Sequence, residues 1–307
     1  GKVAVETTGA GNAGNINIKT RNLNIAEGTK ISATSENTGN AGNIEINVDN
    51  LNLNTGAKIV STTLKSSTGA GGNISINASD RINIHNNSEI AVNNLGTEAG
   101  GKIEIKGNSL SLDRGSIKAE SNSQTGGDIN ITLEDIFTLR NASNISATSG
   151  VDAGAGNGGN ITIKSPLIFA FPQNNQITAN AFSGTGGSIF IEADNILGYP
   201  QFLTVSASSE LGIDGNLSIT GISDLGKGTA VKEETPVSSN PLRMSQCFIR
   251  QSQEASEAIR RSRGNVVLST ACPMQAVGWF RQEDGSIVLT SDPRQVKPIN
   301  RVFKQKQ

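Results

Sequence analysis

Gly14-Asn15-Ile16-Asn17-Ile18 is a five-residue phrase, Gly-x-Ile-x-Ile, that returns seven times along the chain. It reads Gly42-Asn43-Ile44-Glu45-Ile46, Gly72-Asn73-Ile74-Ser75-Ile76, Gly101-Lys102-Ile103-Glu104-Ile105 and Gly127-Asp128-Ile129-Asn130-Ile131. Then follow Gly159-Asn160-Ile161-Thr162-Ile163, Gly187-Ser188-Ile189-Phe190-Ile191 and Gly215-Asn216-Leu217-Ser218-Ile219. The first apolar position of each copy falls at 16, 44, 74, 103, 129, 161, 189 and 217, a period of 26 to 32 residues. Self-similarity at that spacing marks a solenoid or an array.

Within each period, apolar and polar residues alternate at three stations, the pattern of short half-buried strands. The first period gives Ile16 and Ile18, Leu23 and Ile25, Ile31 and Ala33; the third gives Ile74 and Ile76, Ile82 and Ile84, Ile90 and Val92. Three strands joined by Gly, Asn and Ser turns leave no room for a helix. They predict an all-β fold, a right-handed parallel β-helix of about eight triangular coils over residues 1–225. Each buried Ile or Leu contributes roughly 1.5 to 3 kcal/mol, and stacking joins these contributions into one core.

The glycine opening each phrase (Gly14, Gly42, Gly72, Gly101, Gly127, Gly159, Gly187, Gly215) reads as a coil corner. It serves there either through a positive φ or through close approach of neighbouring coils. The asparagines that follow at 15, 43, 73, 160 and 216 read as structural turn residues able to form a side-chain amide ladder. Val3-Ala4-Val5 lies eleven positions before Gly14, as Ile31 lies eleven before Gly42, so it reads as the third strand of a coil that begins upstream.

Composition narrows the function. Charged residues are 17% of the chain and aromatics 4%, with 26 basic against 27 acidic residues. A net charge of -1 offers no field for nucleic acid or anionic lipid, and no apolar run reaches the length of a lipid-spanning segment. Gly9-Ala10-Gly11-Asn12-Ala13-Gly14 spells a dinucleotide fingerprint, but a strand follows where the phosphate site needs a helix N-terminus, and the Gly154 to Gly159 cluster fails likewise. His85, the only histidine, falls on the outward phase after Ile84 and reads as solvated. Glu45 and Glu104 share one outward station two coils apart, with Ser75 between them and Lys102 and Asp128 nearby. That is too sparse for a carboxylate catalytic cluster, and no catalytic residue, cofactor or metal site is expected.

Beyond the repeats, residues 226–242 have linker composition, and 243–292 form a small C-terminal α+β module. Gln251 to Arg263 reads as a short helix, with Glu254 and Glu257 early and Arg260, Arg261 and Arg263 late. Gly278-Trp279-Phe280 and Ile287-Val288-Leu289 flank Asp284-Gly285 as a hairpin, and 293–307 is a mobile basic tail. Cys247 and Cys272, the only cysteines, read as one disulfide in an oxidising compartment or as two buried thiols otherwise. As a disulfide they would close a loop of 26 residues, worth roughly 3.5 kcal/mol.

These residues resemble a family. Repeated Gly-Asn-Ile-x-Ile coils, with Leu-x-Ile and Ile-x-Ala strands, are similar to the filamentous haemagglutinin-type exoproteins of two-partner secretion, most of all the large cyanobacterial members. Cys247, Arg263-Gly264, Gly278-Trp279 and Asp284 to Leu289 resemble the C-terminal ending of those proteins. The resemblance implies a secreted adhesin, extracellular or on the outer-membrane surface, passed out by an outer-membrane exporter. It implies contact with a host-cell, neighbouring-cell or extracellular polysaccharide surface. It further implies that Cys247 and Cys272 close a loop that tethers the chain to its exporter. The alternative from another class is a polysaccharide-active β-helix enzyme, a lyase or hydrolase.

Overall fold

The computed structural model describes residues 1–222, apart from 65–66, 99, 123–124 and 151–153, together with strands at 267–268, 278–281 and 287–290. Two units result, Gly1–Ser223 and Asp224–Gln307. The first is a parallel β-solenoid built on an eight-stranded and a ten-stranded sheet.

Like residues stack on like. Ile16, Ile44, Ile74, Ile103, Ile129, Ile161 and Ile189 pair in one parallel column. The third stations form another, Ile31, Ile59, Ile90, Ile117, Ile145 and Ile177. These side chains are buried in one continuous core with Leu51, Leu53, Leu110 and Leu112. Phe137, fully enclosed, occupies the station held by Leu110 below and Ile168 above. Stacking identical branched side chains at the strand spacing, about 4.8 Å, leaves no gap that a change of residue type would open.

The three stations per coil are present, but the expected break between the first and second is missing in most coils. Ile44–Leu53, Ile74–His85, Ile103–Asp113, Ile129–Arg140 and Ser188–Leu197 each run through both stations as one strand. Register irregularities sit between Val48 and Asn50, Ala78 and Arg81, and Leu133 and Ile136. A bulge bends a strand without ending its pairing, so no turn residue is needed there. The break does occur in the first coil, where Ile16–Lys19 and Asn22–Ile25 are separate strands, and in the coil containing Pro166, where Ile161–Lys164 and Leu167–Ala170 are separate strands. Proline cannot donate to the ladder.

Positive φ falls elsewhere than at the opening glycines. It marks the tight corner between the second and third stations, at Glu27–Gly28, Thr55–Gly56, Asn86–Asn87, Asn141–Ala142 and Gln173–Asn174. From Gly42 onward the opening glycines serve by close approach. A Cβ on Gly72 would stand 2.2 Å from the carbonyl oxygen of Gly42, and one on Gly127 2.0 Å from that of Gly101.

In the second unit, Gly278–Arg281 pairs antiparallel with Ile287–Thr290, placing Trp279 opposite Leu289 and Phe280 opposite Val288, as the hairpin pattern predicts. Val267–Leu268 adds to the same strand in parallel. The linker, the Gln251 to Arg263 helix, the Asp284-Gly285 turn, the basic tail and both cysteines lie outside the described residues.

Candidate functional site

A core this regular leaves chemistry to the outward stations, which the register stacks into columns. One runs Asn17, Glu45, Ser75, Glu104, Asn130, Thr162 and Phe190. The two carboxylates on it stand where the sequence places them, with Ser75 between, and both are engaged. The Glu45 carboxylate accepts from Nδ2 of Asn47 at 2.9 Å and of Asn17 at 3.3 Å. Glu104 is clamped by Lys106 at 2.6 Å and Lys102 at 3.2 Å. Those two ammonium groups hold its carboxyl below the usual carboxylate range, outweighing a small opposing effect of burial. A carboxylate so held is ionised at neutral pH and does not act as a general acid.

Where the strands bend at their bulges, a groove of about 840 Å³ runs across five coils. Lys19, Arg21 and Lys106 bring positive charge to it, Asp49 and Glu134 negative, and Asn47, Asn77 and Asn108 amides. Its polar groups are partly spent on each other: Asn77 Nδ2 donates to Asn47 Oδ1 at 3.0 Å, and Ser79 Oγ to Asp49 Oδ1 at 2.8 Å. No sequence motif marks this groove, because it follows from the bend of the strands.

His85 departs from expectation. It does stand at an outward station, but its ring is half-buried, and Nε2 is enclosed without a hydrogen-bond partner. The register stacks Asp113 on His85 and Arg140 on Asp113. The Arg140 guanidinium lies 4.2 Å from the centre of the Phe171 ring, which stacks on Phe169 at 4.5 Å. Burial pushes the His85 pKa down, Asp113 pulls it up, and Arg140 pushes it down again. Repeat alignment could have found this column, since all three residues close a second strand.

The opening corners form a third feature. A trough of about 420 Å³ lies over the first three coils between two rows of asparagines, Asn12 and Asn40 in one, Asn15, Asn43 and Asn73 in the other. The ladder expected of these asparagines exists, but it joins side chain to backbone rather than amide to amide. Asn15 Oδ1 accepts from the backbone N–H of Asn43 at 2.8 Å, Asn43 Oδ1 from that of Asn73 at 2.8 Å, and Asn73 Oδ1 from that of Lys102 at 2.8 Å. Asp128 takes the same role toward Asn160, at 3.1 Å. The corner N–H groups of Asn43, Asn73, Lys102 and Asn160 therefore find their acceptors in the coil below.

Among the described residues, no three His, Cys, Asp or Glu side chains converge to hold a metal ion, and no helix is long and apolar enough to cross a membrane. No family model, no curated protein and no solved structure matches this chain.

Proposed function

We propose that this chain is the non-catalytic stalk of a secreted or surface-displayed adhesin of the filamentous haemagglutinin type, exported by a two-partner outer-membrane pore. The axial continuity of the solenoid supports this reading. Side-chain and backbone bonds tie corners to the next coil, and the isoleucine columns from Ile16 to Ile189 and from Ile31 to Ile177 run through the stack without a polar interruption. Such a rod projects a surface away from its anchor and presents the same stations again at each coil. Glu45 and Glu104, the two carboxylates on the outward column, are occupied by neighbouring amides and ammonium groups, which favours a binding face over a catalytic one. The partners in this reading are the exporter at one end and a host-cell, neighbouring-cell or extracellular polysaccharide surface along the side.

Two measurements test it. Co-expression with a two-partner exporter should place the full open reading frame at the outer surface, accessible to added protease. Incubation of the chain with acidic polysaccharides should release no new reducing ends; sustained release would establish a lyase or hydrolase and sink the stalk reading.

A further inference from the structure

The trough at the asparagine corners presents hydrogen-bond donors and almost no acceptors. A backbone N–H can only donate, so the side-chain atom facing it must be the amide oxygen. Asn12 Oδ1 accepts from Asn40 N–H at 2.9 Å and Asn40 Oδ1 from Ala70 N–H at 2.8 Å, as Asn15, Asn43 and Asn73 do in the parallel row. Each amide orientation is thereby fixed, and each NH2 group is turned away from the backbone. Among the described residues none of these five NH2 groups has a partner, and all five residues are exposed. Between the rows the floor is Ala13, Ala41 and Gly71, too small to keep a ligand away. No acidic side chain lines the trough.

We propose that this trough binds an extended acidic polysaccharide of the uronate class, laid along the rod axis, with its carboxylates accepting from the NH2 groups of Asn12, Asn15, Asn40, Asn43 and Asn73. A carboxylate at neutral pH only accepts, so it complements a donor-only surface, whereas a neutral hydroxyl would leave its own proton unanswered. Hydrogen bonds to an ionised acceptor are the stronger kind. The donors recur at the coil spacing of about 4.8 Å, close to the length one pyranose adds to an extended chain, so successive sugars meet successive coils. The inference rests on the stalk reading for the availability of this face.

The test uses the whole chain and fluorescently labelled polygalacturonate oligomers. Asn15→Asp, Asn43→Asp and Asn73→Asp together keep an oxygen facing each backbone N–H, as Asp128 already does toward Asn160, and replace the outward donors by acceptors. Binding by the unaltered chain, with a loss of about tenfold or more in the triple variant, is the expected result. Ser75→Asp adds one negative charge, against three in the triple variant, on the neighbouring column and should leave binding within about twofold. Methyl-esterified polygalacturonate should bind the unaltered chain about tenfold more weakly, a comparison that needs no variant to fold. Absence of binding, equal binding of the ester, unchanged binding by a folded triple variant, or an equal loss in Ser75→Asp would each overturn the proposal. Shortening of the oligomers would instead refute the non-catalytic reading, so the two failures are read separately.

Discussion

A Cβ built on Gly42 falls 1.9 Å from the carbonyl oxygen of Gly14, a separation no side chain survives. The relationship climbs the stack, with Gly101 meeting the carbonyl of Gly72 and Gly159 that of Gly127 at 2.0 Å, and Gly187 and Gly215 each meeting the glycine one coil below at 1.9 Å. Hydrogen bonds on either side of the corner fix the distance between coils. The obstructing atom is backbone, so it cannot swing aside as a side-chain end would.

Gly101→Ala should therefore cost about 3 kcal/mol or more, the upper range for overpacking. Gly14→Ala should cost about 0.5 kcal/mol or less, since its nearest neighbours are atoms of the Val5 side chain at 3.6 Å. Urea unfolding followed by circular dichroism compares them. Equal midpoints for the two variants would contradict the close-approach account of these corners.

The asparagine ladder makes a different prediction. Asn43→Ala removes the acceptor of the Asn73 N–H, at 2.8 Å in the structure, and should cost about 1 kcal/mol. Asn43→Asp keeps that acceptor and should be nearly neutral. Thermal midpoints of the two variants in the same buffer check the order, and a reversal would show that the side chain's outward half carries the stability.

The period, the inward stations and the corner glycines were legible in the sequence because each recurs in residue type. Other features depend on register, which residue type does not disclose. Ile44 to Leu51 is seven residues and Ile74 to Ile82 eight, and the bulges at Val48/Asn50 and Ala78/Arg81 absorb the difference. That adjustment brings His85, Asp113 and Arg140 into one column. The left-handed corners were hidden for another reason: Glu27, Thr55, Asn86, Asn141 and Gln173 all take positive φ there, and no single residue type announces it. The structural role the sequence predicts for the asparagines is carried by their oxygens, which accept from the backbone of the next coil, and the orientation of their nitrogens follows from that same bond.

Cys247 and Cys272 lie outside the described residues, and their pairing is a proposal that chemistry can decide. Protein taken from the outer surface and unfolded without reductant should show no reactive thiol, then two after reduction. Two thiols before reduction would rule out the disulfide. If the loop tethers the chain to its exporter, Cys272→Ser should raise the fraction shed into the medium, and unchanged retention would remove the tether.

His85 supplies a pH dependence whose sign follows from its surroundings. Its pKa lies below the ordinary 6.5, chiefly because burial of the ring disfavours the imidazolium; Asp113 opposes this and Arg140 reinforces it. Between the lowered folded value and 6.5, the unfolded chain binds more protons than the folded one, so stability rises with pH across that window. Acidification through 6.5 should therefore destabilise the solenoid, and the penalty should be complete once pH falls below the folded value. Glu104 adds loss in the same direction at lower pH, because its depressed carboxyl is stabilising only while ionised. His85→Gln separates the two: it should flatten the unfolding midpoint between about pH 7 and pH 5 and leave the acid limb governed by carboxylates. A variant that loses stability as steeply as the unaltered chain over that interval would assign the effect to other groups. Asp113→Asn should steepen it, since it removes the one neighbour that favours the protonated ring.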